Sequence, residues 1–154
     1  MFARFFFPAA IVLAIALIAG YFLEHKAQSP AQDLSNSTAS SSYAYTNASE
    51  DMIFVTTPKP NQSTTGTIVI KGFARGTWFF EASFPIEVRN DRGLTIGEGQ
   101  GRADTDWMTK NFVPFTAEVN LSLYNGPATI VLKKDNPSGD PARDASLSFP
   151  VVIE

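Results

Sequence analysis

Catalysis and metal binding need nucleophiles, bases or metal ligands, and this sequence is nearly bare of them. Its one histidine, His25, borders a long apolar run near the N-terminus, away from the segments that carry most of the charged residues. That position leaves no serine–histidine pair and no histidine–metal set in the body of the chain. Cysteine is absent, so there is no thiol nucleophile, disulfide, thiolate zinc site or thiol for lipid attachment. Carboxylates remain. Asp104, Asp106, Asp135, Asp140 and Asp144 can offer oxygens to calcium, which takes about six to eight of them. No D-x-D-x-D-G loop organises them, however, so they read as solvated turn residues and no metal or cofactor is expected.

The elements that must position these groups are strands. Thr67 to Arg75 places Ile68, Ile70, Gly72 and Ala74 on one face. Phe80, Ala82, Phe84, Ile86 and Val88 alternate with polar residues, and Asn90-Asp91-Arg92-Gly93 then turns the chain into Leu94 to Gly101. The run Phe115-Ala117-Val119-Leu121-Leu123 is the clearest, followed by the Tyr124 to Pro127 turn, by Ala128-Ile130-Leu132 and by Leu147-Phe149-Val151-Ile153. Period two means strands, and with Ile53 to Thr56 as the first, the count is seven. Seven half-apolar antiparallel strands in about a hundred residues imply a two-sheet sandwich, because each apolar face must be covered by another. The fold class is therefore all-β and immunoglobulin-like. Pro85 and Pro150 mark edges or bulges, where no ladder N–H is needed. Val131 and Val152 face outward, a weak sign of an interaction surface.

In such a chain every second connection emerges at the same end. Gly76 to Phe79, Arg102 to Pro114 and Asp135 to Asp144 share one pole. That pole is the candidate ligand-binding end, with Trp78, Asp104, Asp106, Trp107, Lys110, Asp135, Asn136 and Arg143 as its candidate residues. The two tryptophans can form a stacking platform, but Phe79, Phe80 and Met108 beside them favour burial under the loops. Arg75 and Glu81 lie on outward faces of consecutive strands, where a cross-strand ion pair is expected rather than a binding role. With no histidine in the domain, and a sandwich too small for a glycosidase cleft, the chain is not expected to be an enzyme.

Three regions follow from the hydropathy. Residues 5–23, FFFPAAIVLAIALIAGYFL, are nineteen residues without a charge, the length of a membrane-spanning helix. A signal peptide has a shorter apolar core and a small-residue cleavage site, so residues 1–26 read as an uncleaved anchor, with secretion after cleavage as the alternative. Arg4 before the run and only Lys26 close behind it put the C-terminal part outside the cytoplasm. Residues 27–50, rich in Ser, Ala, Asn and Thr, read as a disordered linker. Residues 51–154 are the sandwich domain. The net charge of −3 lacks the basic excess that nucleic acid requires.

Four segments carry a resemblance. Ala74-Arg75-Gly76-Thr77-Trp78-Phe79-Phe80-Glu81-Ala82, Asp106-Trp107-Met108, Phe112-Val113-Pro114-Phe115 and Lys134-Asp135-Asn136-Pro137-Ser138-Gly139 resemble the bacterial immunoglobulin-like domain associated with spore germination proteins, over roughly residues 53 to 153. The resemblance implies a non-catalytic domain of cell-envelope proteins, here on a single-pass anchor in the bacterial cytoplasmic membrane, that binds or scaffolds an envelope glycan, peptide or protein. A structural spacer or assembly subunit of a membrane complex is the alternative. No larger germination domain accompanies it in this sequence.

Overall fold

A computed structural model describes residues 42–121 and 123–154 of the chain. The expected membrane segment, residues 5–23, and the linker as far as residue 41 lie outside the described residues. Among those described, no helix is long and apolar enough to cross a membrane.

The described residues form nine strands: β1 (Ala44–Thr46), β2 (Ile53–Thr57), β3 (Ser63–Thr64), β4 (Thr67–Arg75), β5 (Ser83–Asn90), β6 (Thr95–Ala103), β7 (Phe112–Asn120), β8 (Gly126–Lys133) and β9 (Ser146–Ile153). They make one curled sheet in the order β1-β9-β8-β5-β6-β7-β4-β2, antiparallel except for β3, which runs parallel to one end of β9. The all-β, immunoglobulin-like expectation holds at this level. Instead of two separate sheets, β6 joins the halves: it pairs with β5 along most of its length but meets β7 only through Arg102 and Ala103. Alternate glycines permit this close crossing. A Cβ on Gly99 would lie 2.8 Å from the Glu118 carbonyl oxygen, and one on Gly101 would lie 2.3 Å from the Phe84 ring.

The core fills the curl. Ile68, Ile70, Phe84, Phe115, Ile130 and Phe149 are all but fully buried, and Phe84 of β5 meets Phe115 of β7 edge to face at 5.0 Å. Burial on this scale, at roughly 25 cal/mol per Å² of apolar surface, is what holds the layers together. The inward face of β9 is as the alternation predicts, with Leu147, Phe149, Val151 and Ile153 buried.

Four expectations need correction. The linker does not extend to residue 50, because Ala44–Thr46 pairs with Ser146–Ser148 of β9. Tyr43 and Tyr45 supply the reason. Both pack on the core, and their hydroxyls donate to the carbonyls of Val55 (3.0 Å) and Ile53 (3.3 Å) in β2, at the opposite edge of the sheet. The curled sheet is thus closed by two side-chain hydrogen bonds across its seam. Next, Phe80 and Ala82 do not begin a strand: β5 starts at Ser83, and Glu81 and Ala82 have φ of +48° and +61°. Leu121 and Leu123 lie beyond the end of β7, with Leu123 fully exposed. Val131 is only 8% exposed and presents no outward surface.

The prolines obey the ladder differently from one another. Pro150 lies between the β1 and β3 pairings on β9, where its carbonyl accepts from the Asn61 amide at 2.7 Å. A strand residue's carbonyl and N–H point to the same side, so its missing donor faces the gap between those two short strands. Pro85 belongs to an interior strand, not an edge, but sits one residue outside the β8 ladder, which begins at Ile86.

Candidate functional site

The register brings three connections to one end. Residues 75–83, 103–112 and 133–146 leave and re-enter the sheet at the same pole, together with the start of β2, where Ile53 pairs with Ala74. Hydrogen bonds tie them into a unit: the Gly76 amide donates to the Asn111 carbonyl (3.3 Å), the Asp135 amide to the Trp78 carbonyl (3.1 Å), and the Asn47 side chain to the Asp144 carbonyl (3.0 Å). Gly76 is the tightest point. A Cβ there would stand 2.0 Å from the Thr109 carbonyl oxygen and 2.2 Å from that of Trp107, so only glycine lets these two loops touch.

Arg75 organises this end. Its Nε donates to the Asp51 carbonyl (2.8 Å), its Nη1 donates to the Lys110 carbonyl (3.3 Å), and the guanidinium lies 4.0 Å over the Phe112 ring. The expected pair with Glu81 does not form. Glu81 falls in a turn rather than on a strand, and its carboxylate is exposed to solvent.

The two tryptophans separate. Trp78 is 2% exposed and meets Phe84 edge to face at 6.4 Å, which makes it part of the core. Its indole Nε1 is buried without a hydrogen-bond partner among the described residues. Trp107 is half-buried and packs against the core. It lines a shallow depression of about 380 Å³ with Gly76, Phe79, Met108 and Lys110. A second cleft of about 220 Å³ lies between Asn47, Met52, Thr77, Trp78, Lys134 and Arg143.

Most of the candidate polar residues serve the loops themselves. The Asp104 carboxylate accepts from the Thr116 hydroxyl (3.1 Å), and that of Asp106 accepts from the Met108 amide (3.0 Å). Asn136 donates to the Asp140 carbonyl and to the Asp144 carboxylate, and accepts from Ser138. Asp135 contributes its backbone. Lys110 is exposed, and Arg143 faces Asp140 at a loose 3.8 Å. Among the described residues no group of acidic side chains is placed to hold a metal ion.

The pole also shows what the sequence reading passed over. Met108 is 77% exposed at the tip of its Asx turn, and Phe80 and Met52 are each 44% exposed on neighbouring connections. Three large apolar side chains thus stand in solvent on loops that are held in place from behind.

The strongest electrostatic cluster lies elsewhere, on the β5–β8 face. Glu87 accepts from Arg89 Nε (2.9 Å) and from the Lys133 ammonium. Burial alone would raise its pKa, but the bonds from Lys133 and Arg89 outweigh that and hold the carboxyl below its ordinary value. This is a structural clamp between neighbouring strands, not a proton-transfer group.

Residues 52–140, more than half of the chain, match the family model of the immunoglobulin-like domain of bacterial spore germination. The chain belongs to that family. The four segments that carried the resemblance lie within the matched residues, and all but the Phe112 strand segment fall mainly in the pole's connections. This germination-type domain is immunoglobulin-like and is not known as catalytic. No curated protein and no solved structure gives a significant match to the chain. Strands β1 and β9 lie outside the matched residues.

Proposed function

We infer that this chain is a non-catalytic, membrane-anchored module outside the cytoplasm, whose three-loop pole binds a component of the bacterial cell envelope. The observation that carries the reading is the exposure of Met52, Phe80 and Met108 at one end of the domain. Exposed apolar side chains are common when scattered, but several on rigid neighbouring loops mark an interaction surface. Hydrogen bonds behind them keep the surface preorganised, which lowers the ordering cost of binding. Residues 5–23 supply the anchor, and an immunoglobulin-like family of spore germination supplies the envelope setting.

The test uses the full chain in its own membrane. Met52→Ser and Met108→Ser should abolish recovery of an envelope partner after crosslinking, without lowering the melting temperature. Leu94→Ser and Leu123→Ser, at the opposite pole, should leave recovery intact. Recovery unchanged by the first pair, with crosslinks only between copies of this chain, would favour the spacer reading instead.

A further inference from the structure

The turn at Phe80–Ser83 is built against its own backbone preferences. Phe80 and Ser83 face each other through two hydrogen bonds, Phe80 amide to Ser83 carbonyl (3.0 Å) and Ser83 amide to Phe80 carbonyl (3.1 Å), leaving Glu81 and Ala82 as a two-residue loop. Both loop residues have left-handed φ, +48° and +61°. A two-residue turn with positive φ at both positions ordinarily takes Asn-Gly, because a Cβ is crowded there. The chain uses two residues with side chains instead, and the surroundings fix them. Phe79 before the turn is in the core against Phe84 (5.3 Å), and the Ala82 carbonyl accepts from the Ala103 amide (2.9 Å).

Nothing inside the domain repays this strain at the tip. The Phe80 side chain is 44% exposed, and the Glu81 carboxylate has no ion pair and no side-chain hydrogen bond among the described residues. Strained backbone held in place by its neighbours belongs to recognition sites more often than to inert surface. We propose that Phe80 and Glu81 form the recognition tip of the pole, inserting the phenyl ring into an apolar pocket of a protein partner whose rim carries a lysine or arginine opposite Glu81. This rests on the binding reading given above and names the partner's chemistry. An aromatic side chain alone would suit a membrane as well. The adjacent carboxylate is repelled by an anionic lipid surface and resists entry into hydrocarbon, so the pair selects a pocket with a cation beside it.

A photocrosslinking residue decides the matter. With p-benzoylphenylalanine in place of Phe80 in the full membrane-bound chain, irradiation should give one protein adduct, mapped to an apolar stretch flanked by lysine or arginine. Glu81→Lys should cut its yield more than tenfold, while Ala82→Gly, which keeps the turn and relieves the crowding, should keep the yield and raise the melting temperature. The same residue in place of Leu94, at the other pole, should give no such adduct. Adducts only to lipid or to this chain, identical adducts from both poles, or a yield indifferent to Glu81→Lys would overturn the proposal. A partner captured from position 108 but not from position 80 would leave the binding reading standing and remove this one alone. Capture from neither position would remove both.

Discussion

Arg75 shows how a residue can be read correctly for type and wrongly for partner. Its position at the end of an alternating run marks an outward side chain, and the sequence offers Glu81 six residues on as the obvious opposite charge. The alternation Phe80-Ala82-Phe84 makes that pairing attractive because it reads as one unbroken strand. The turn that breaks it carries neither glycine nor asparagine, so no breaker signal betrays it. Two left-handed residues with side chains cost about 1–2 kcal/mol each, a price invisible to pattern reading. Arg75 is left to the carbonyls of Asp51 and Lys110 and to the Phe112 ring. Arg75→Ala removes two hydrogen bonds and a cation–π contact at a partly exposed site, so a loss of about 1–3 kcal/mol is expected in denaturant unfolding. Arg75→Lys should recover less than half of it, since an ammonium cannot reach two carbonyls and stack on a ring at once. The tryptophans illustrate the reverse case. Their apolar neighbours pointed to burial, and Trp78 proved to be core, whereas Trp107, in a connection between strands, keeps part of its surface in solvent.

The elements that sequence reading finds are those whose alternation spans a buried face. Strands β4, β5, β8 and β9 were visible because their inward residues recur at period two over eight or nine positions. Strand β1 was not, since three residues within a Ser-, Ala- and Asn-rich tract carry too little apolar signal. The spacing Tyr43-Ala44-Tyr45 was the one clue, two aromatics on the same face of an extended segment. Their role at the seam gives a pH prediction. Burial, reinforced by the Glu50 carboxylate, raises the pKa of both phenols above their ordinary value of about 10. A raised pKa means the unfolded state gives up its protons first. The contribution is therefore complete below about pH 10 and is lost as pH rises through the phenols' raised folded-state range. Stability of the full chain should fall as the pH rises above the ordinary phenol value of about 10, with a step in phenolate absorbance,. Tyr43→Phe with Tyr45→Phe should flatten that alkaline limb and cost about 1–3 kcal/mol at neutral pH, through two lost hydrogen bonds.

At the scale of the whole molecule, strand parity placed the pole from sequence because added strands fell outside the counted connections. β1 precedes the first counted strand, and β3 interrupts only the loop at the other pole, so the three polar-end connections kept their shared side. The family match covers a different extent from the folded unit. It runs from residue 52 to residue 140 and leaves out the two strands that finish the sheet at one edge. β9 sits between β8 and β1 and contributes Leu147, Phe149, Val151 and Ile153 to the core. A chain stopped after residue 140 would expose the β8 edge along eight paired positions and remove the four large buried side chains of β9, each worth about 1.5–3 kcal/mol. That sum, about 6–12 kcal/mol, is comparable to the roughly 5–15 kcal/mol by which small domains are stable, and the edge it opens also invites aggregation. Its loss is expected to abolish cooperative thermal unfolding. A chain beginning at residue 42 should unfold like the complete domain. One beginning at residue 52 should still unfold cooperatively, with a loss of about 2–5 kcal/mol for the two tyrosine hydrogen bonds, the β1 ladder and the Tyr43–Phe149 contact at 5.2 Å,. Cooperative unfolding of residues 52–140 alone would show that the curled sheet closes without its seam, and would refute the account of β1 and β9 as the elements that complete it.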